Sequence, residues 1–479
     1  MKSVRIDPRG MDFEDGFPSL ACLDGRWPAG ARRLEKAQAR YRAFADRYVR
    51  PIALEVDRAS GRDPEYLNRE FTRRAARERM FSIVIPKIFG GQGGSLLEMA
   101  IMIEELCAAC TGLGNVVGAH YLGYSGVAAG MNLRLLGAIS EEIVAGEKRG
   151  EAVILTAAHT EPQAGSDVED EEHMPGARVG MTAQRSRGGY VLNGQKIFIS
   201  DGHLATWHMV TAYRDRKDPL GSGLLAVVRT GQPGFQMVSH EQKMGQRACP
   251  ASFLVFEDCF VTDEHVVTDR MVYFERVLFV LGASRVGVAA IGTGCARGAY
   301  EKALEIAQTE KRSGRFLIDE QWVRQILAEM LANVMVARSM YVTAGLCEAR
   351  HGMMSLMAHP FMTGLQAVVP ESVFRMPAVR ACIRSETMSR IMNTALTRIH
   401  IKRRQRAQAH SSAAKCVATD LAMQNANLAM EIAGAAGLAQ SSGVEKIFRD
   451  AKLLQIYEWT NQINRKHLWD SLIARTTTL

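Results

Sequence analysis

The sequence contains no apolar run that is both long and unbroken. The longest, Val277 to Gly294, is interrupted by Arg285 and rich in glycine and alanine, which suits a buried bundle helix better than a membrane span. No transmembrane segment is therefore expected. Nor does an apolar run follow Lys2 and Arg5 in the opening Met1 to Gly10, so no secretory signal is visible and a cytoplasmic location is expected. The nine cysteines lack paired spacing along the chain, which excludes a disulfide framework and a zinc site. Cys107 and Cys110 form a lone CxxC that reads as core thiols on a helix, and no metal is expected. Internal repeats and long low-complexity segments are also missing.

Acidic residues fall short of basic ones, 51 against 59, and the resulting charge of +8 favours anionic partners. Spread over a chain of this size the excess is diffuse, and coenzyme A answers to it as well as nucleic acid does. The one basic cluster, Lys402, Arg403, Arg404 and Arg406, reads as a solvated helix face, so no nucleic-acid binding is expected.

What remains is an ordinary globular composition, 47% hydrophobic and 23% charged, over 479 residues. One hydrophobic core does not grow that large, so two or three packed units are expected. Residues 1–150 read as a helical N-terminal domain, with apolar residues at helical spacing over Leu34 to Arg50 and Leu97 to Cys110. Between these helices the cluster Pro86-Lys-Ile-Phe-Gly-Gly-Gln-Gly-Gly94 reads as a loop.

Over 151–268 the period changes to two, in Ala152 to Thr156, Tyr190 to Leu192, Ile197 to Ser200, Leu224 to Val228 and Phe253 to Phe256. This predicts an antiparallel β-barrel or sandwich, with turns at Arg187-Gly-Gly189 and Leu192-Asn-Gly194. Residues 269–479 return to helical spacing, as in Arg285 to Gln308 and Gln321 to Cys347, and predict a C-terminal four-helix bundle. A methionine-rich stretch, 351–406, interrupts it as an insertion. Core filling is the default reading of such flexible side chains, with a partner or membrane-surface contact as the alternative. The whole is an α+β multidomain chain.

Within this order one segment is specific: Thr160-Glu-Pro-Gln-Ala-Gly-Ser-Asp167, a sharp turn after a strand that presents backbone N–H groups and small hydroxyls to a flat polar ligand. Further segments follow in register: Asn193-Gly-Gln-Lys-Ile-Phe-Ile-Ser200, Arg285 at a bundle-helix start, Arg449-Asp-Ala-Lys452 and Tyr457-Glu-Trp-Thr-Asn-Gln462. Together these segments resemble the acyl-CoA dehydrogenase family of FAD-dependent flavoproteins over nearly the whole chain. The first thirty or so residues, an acidic insert near Glu169 to His173 and most of 351–406 stand outside the likeness.

The resemblance implies FAD held between the middle and C-terminal domains and an acyl-CoA thioester beside it. It implies Thr160 at the flavin pyrimidine edge, Ser166 on the thioester arm, and Phe198 and Ser200 walling and hydrogen-bonding the isoalloxazine. His159, Gly165, Ile199, Thr460 and Gln462 join the cofactor set. Glu458 is implied as the base that removes the α-proton, with its backbone N–H and an FAD hydroxyl on the thioester carbonyl. A β-hydride then passes to flavin N5, giving a 2-enoyl-CoA. Some branches of the family carry the base just before the position of Arg285, but here that residue is Ser284, which cannot serve. Ser284, Arg285, Ser166 and Trp459 are the expected substrate contacts.

The chain also departs from the family pattern. Phe198 replaces a usual Trp, and Trp459 replaces a usual Gly and is expected to reshape the acyl pocket. Glu310 stands where an Arg normally meets the flavin pyrophosphate, so Lys311 or Arg312 must compensate. Gln321 is kept, while Glu431 to Gly437, including Gly434, thins a glycine motif that meets FAD across a dimer interface. A homotetramer or homodimer and an electron-transferring flavoprotein as acceptor complete what the resemblance implies. Two alternatives stand beside it: a flavin oxidase or monooxygenase of the same fold, and a non-catalytic acyl-CoA-binding protein.

Overall fold

A computed structural model describes residues 13–17, 20, 28–268, 273–357, 364, 368–374 and 376–473; the opening Met1 to Gly10 lies outside them. The N-terminal part is helical, with α1 (Pro28–Phe44), α2 (Leu96–Ala109), α3 (Thr111–Ala129) and α4 (Leu133–Arg149). Ser95 caps α2, its hydroxyl accepting from Glu98 N at 3.1 Å. Predominantly apolar, α2 is buried along nearly its whole length, and its three glutamates, Glu98, Glu105 and Glu104, are paired with Arg33, Arg297 and Arg338. The glycine cluster after Pro86 is a loop as expected, with Gly90 and Gly93 in the left-handed region at φ 84° and 60°.

The middle part is a sheet of eight strands, β1 (Leu155–Ala158), β2 (Thr182–Ser186), β3 (Gly189–Ser200), β4 (Trp207–Tyr213), β5 (Gly223–Arg229), β6 (Phe235–His240), β7 (Ala251–Thr262) and β8 (Val266–Thr268). Their order is β6-β7-β3-β2-β4-β5-β8, with β1 also on β4. The sheet is mixed rather than antiparallel throughout, because β1 and β2 both run parallel to β4. A parallel pair needs a long connection, and the 48 residues between β1 and β4 that hold the β2–β3 hairpin supply it. The Arg187-Gly-Gly189 turn joins β2 to β3 as expected. The corner expected at Leu192-Asn-Gly194 is instead a register shift inside a single continuous β3. Asn193 holds it open, Oδ1 accepting from Asp258 N at 2.8 Å.

The C-terminal part packs three long helices, α5 (Tyr273–Thr309), α6 (Gln321–His351) and α8 (Ile401–Ala433). Its fourth side is divided between α9 (Val444–Leu454) and α10 (Asn461–Leu472). Arg285, expected at a helix start, lies twelve residues into α5. The backbones pack closely: a Cβ on Gly294 would meet Glu104 O at 2.6 Å. By length and composition Arg276–Thr309 and Gln321–His351 are apolar enough to cross a membrane, but 83% of the most apolar window of the first is buried inside the bundle. Within the methionine-rich stretch, α7 (Glu386–Thr397) lies against α4, and Glu371–Phe374 lies against Lys87–Phe89.

Candidate active site

A cavity of about 520 Å3 opens where the three parts meet. Its β wall is made by Thr156, His159, Thr160, Phe198, Ser200 and Thr211. A second irregularity in β3, between Lys196 and Ile199, turns Phe198 to φ 56° and leaves the residue 56% exposed. The flanking segments are tied together by Lys196, wholly buried, whose Nζ donates to His159 O at 2.8 Å, Glu161 Oε1 at 2.9 Å and Thr211 Oγ1 at 2.9 Å. The acid of the Thr160 turn and the base of the β3 segment therefore form one buried ion pair that fixes both against the cavity.

The opposite wall is a stripe of α5. Val277, Val280, Leu281, Ser284, Val288 and Ile291 recur at helical spacing and all line the cavity. Glu458 joins them from the short connection between α9 and α10. The Ser284 hydroxyl donates to Glu458 Oε1. Burial pushes the Glu458 carboxyl above the usual carboxylate range, opposed by the Ser284 hydroxyl and the cations Arg285 and Lys415. Tyr457 stands beside it, its hydroxyl on Gln246 Oε1 at 3.3 Å.

Three expected substrate contacts do not line this cavity: Ser166, Arg285 and Trp459. Arg285 follows Ser284 on the helix and so points about 100° away around the helix axis. It is fully buried, donating to Ser412 Oγ at 2.7 Å and contacting His467 Nδ1 at 3.0 Å. Trp459, expected to reshape the acyl pocket, is not in the cavity lining: its indole turns into the bundle, 3% exposed, with the Arg285 guanidinium 4.4 Å from its ring centroid.

The domain models of the acyl-CoA dehydrogenase family cover most of this architecture: the N-terminal domain over 32–131, the middle domain over 156–259, and the C-terminal domain over 274–358 and 366–473. The chain belongs to the acyl-CoA dehydrogenase family. These are flavoprotein oxidoreductases of acyl-CoA catabolism. The match also takes in the acidic insert and most of the methionine-rich stretch, both expected to stand outside it, and within that stretch it skips only 359–365.

The short-chain-specific acyl-CoA dehydrogenase of Clostridium acetobutylicum is 26% identical over 91% of this chain and 96% of its own. The cyclohex-1-ene-1-carbonyl-CoA dehydrogenase of Geobacter metallireducens is 29% identical over 88% and 93%. Butyryl-CoA dehydrogenase from Megasphaera elsdenii shares the fold, with a TM-score of 0.71 and 22% identity over 92% of this chain and 98% of that one.

The other expected family positions divide in two. Gly165 and Ser166 follow Thr160 in its turn, outside the cavity lining, and Gly165 N donates to Asp167 Oδ1 at 2.6 Å. Thr460 caps α10 through Ile463 N at 3.4 Å, and Gln462 is exposed on the first turn. Arg312, Gln321 and Gly434 lie farther off, at the end of the bundle where α5 stops, α6 starts and α8 ends. Arg312 and Gln321 are exposed there.

Lys415 was missed by motif reading. Fully buried on α8, it donates from Nζ to Trp459 O and Asn461 Oδ1, both at 2.7 Å, and burial lowers its ammonium to about 8. The available signal was a lysine inside the alanine stripe Ala407, Ala414, Ala418 and Ala422, all of them buried.

Proposed function

We propose that this family member carries out FAD-dependent α,β-dehydrogenation of an acyl-CoA thioester to a 2-enoyl-CoA. The observation that carries this reading is a half-buried carboxyl, Glu458, lining an apolar cavity whose β wall carries the exposed aromatic side chain of Phe198. The residues present fit a flavin. Phe198 offers a flat surface for stacking, Thr156, Thr160, Ser200 and Thr211 line the same wall with hydroxyls, and about 520 Å3 is within the usual range of cofactor sites. Bound there, FAD supplies the two-electron sink that accepts the β-hydrogen as hydride at N5.

The protein's own residues do the rest. Glu458 accepts the α-proton through its carboxylate, while Ser284 fixes the orientation of that carboxylate. The Glu458 backbone N–H donates to the thioester carbonyl and stabilises the enolate-like charge. The apolar α5 stripe excludes water, and Thr160, Ser166 and Ser200 orient the two ligands. Arg312, Gln321 and Gly434 hold the far end of FAD, completed by a second copy of the chain, and an electron-transferring flavoprotein takes the electrons onward.

Anaerobic mixing of the FAD-loaded protein with an acyl-CoA should bleach the flavin absorption within the mixing experiment. Glu458→Gln should lower that rate by about two to four orders of magnitude. Full-rate bleaching in Glu458→Gln would remove this residue from the role, and rapid oxygen consumption without any acceptor would make the protein an oxidase. Because the folded carboxyl is raised, the carboxylate is lost earlier on acidification than for an ordinary glutamate, so kcat should fall as pH drops through that raised value.

A further inference from the structure

We propose that the methionine-rich stretch between residues 351 and 406 forms the far wall of the acyl site and selects thioesters whose acyl group is long or bulky and apolar to its end. The inference rests on reading this cavity as a thioester site. The cavity also runs between α2, α3 and α5, where it is lined by Met353, Leu356, Phe374, Ile383, Met388 and Met392. This wall is anchored to the N-terminal part. Arg380 and Arg384 both pair with Glu141, and Ser389 Oγ accepts from Leu133 N at 3.2 Å. Met353 and Leu396 also share a buried cluster with Met131 and Val280.

The polar residues lining this end have partners of their own. Tyr121 donates to Met80 O at 2.6 Å, Tyr124 meets Ser140 Oγ at 3.0 Å, and Ser125 donates to Leu122 O at 2.8 Å. Among the described residues lining the cavity none is Lys or Arg, so a tail ending in carboxylate would be buried without a counter-ion. An alkyl or alicyclic tail suffers no such cost and gains with every methylene covered. Thioether side chains on several sides let the wall adjust to tails of irregular width, where a wall of branched residues would impose one shape.

The test uses S-alkyl-CoA thioethers, which lack the acidic α-proton and so report on the cavity alone, titrated calorimetrically into the FAD-loaded protein. Affinity should rise by about four-fold per methylene from butyl upward until the cavity fills. Met388→Trp should lower the hexadecyl-to-butyl affinity ratio by about ten-fold or more, and Met392→Phe, a smaller change in volume, should lower it in the same direction if the first variant does not fold. An ω-carboxyalkyl thioether should bind more weakly than its alkyl counterpart. Flat affinity from butyl to hexadecyl, or an unchanged ratio in a folded variant, overturns the proposal even if thioesters are turned over. A steep rise in affinity without flavin bleaching by any acyl-CoA would leave the proposal standing and overturn the dehydrogenase reading.

Discussion

Glu458 and Trp459 occupy the left-handed backbone region in succession, at φ 49° and 65°, where a side chain costs about 1–3 kcal/mol per residue. The protein sustains this because the carbonyls it turns inward are satisfied: Trp459 O accepts from Lys415 Nζ and from Asn464 Nδ2, and Asn464 also reaches Glu458 O at 3.3 Å. The Trp459 indole, packed edge-on to His467 with centroids 4.7 Å apart, adds burial that glycine lacks. Restoring the family's residue should therefore not restore stability. Trp459→Gly should relieve about 1 kcal/mol of strain but lose about 3–5 kcal/mol of packing, lowering Tm by several degrees in a thermal melt. An unchanged or higher Tm would mean that the indole contributes little. That Glu458 belongs to the cavity lining was legible because its neighbours repeat a motif. The direction of the Trp459 side chain was not, since sequence order says nothing about which side of a turn a residue faces.

Between α9 and α10 the connection carrying Glu458 is held as a unit by α8. Lys415 reaches it at Trp459 O and reaches the first residue of α10 at Asn461 Oδ1, and its charge draws the Glu458 carboxyl downward against the larger effect of burial. Lys415→Met removes both effects. It should move the acid limb of the kcat–pH profile to higher pH, because the carboxyl loses a nearby cation, and it should lower kcat as the connection loosens. A limb that stays in place while Tm falls would make Lys415 merely structural. Helical and strand periods located most elements to within a few residues, as with α2 and β5, because burial of one face follows directly from spacing. The parallel placement of β1 beside β4 was not legible, since pairing across 48 residues is decided by how the sheet packs on α3.

At the scale of the whole molecule, residues of the Arg449-Asp-Ala-Lys452 segment join the parts. Arg449 bridges Asp57 at 2.7 Å and Glu445 at 2.6 Å, while Asp450 accepts from Gln246 N and from Lys446 Nζ. Asp170 of the acidic insert pairs with Lys466 at 3.0 Å on α10, tying the middle part to the bundle. The outer face of α6 leaves Trp322, Met335, Val336 and Leu346 exposed, an apolar surface suited to a second copy. Val336→Asp should shift the mass measured by light scattering toward the monomer with little change in Tm. If the FAD site is completed across that contact, the variant should also retain less FAD per chain after gel filtration. An unchanged mass and FAD content would show that this face makes no contact between copies. By itself the sequence determined the family and the order of helical and β parts, and pointed to Glu458 as a residue of the site, because these depend on local spacing and contiguous motifs. Only the tertiary structure decided that Arg285 and Trp459 face away from the cavity, that Lys415 holds the connection carrying Glu458, and that methionines of the 351–406 stretch line the cavity. Each of these depends on which surfaces meet when distant segments pack, and packing is set by the whole chain at once.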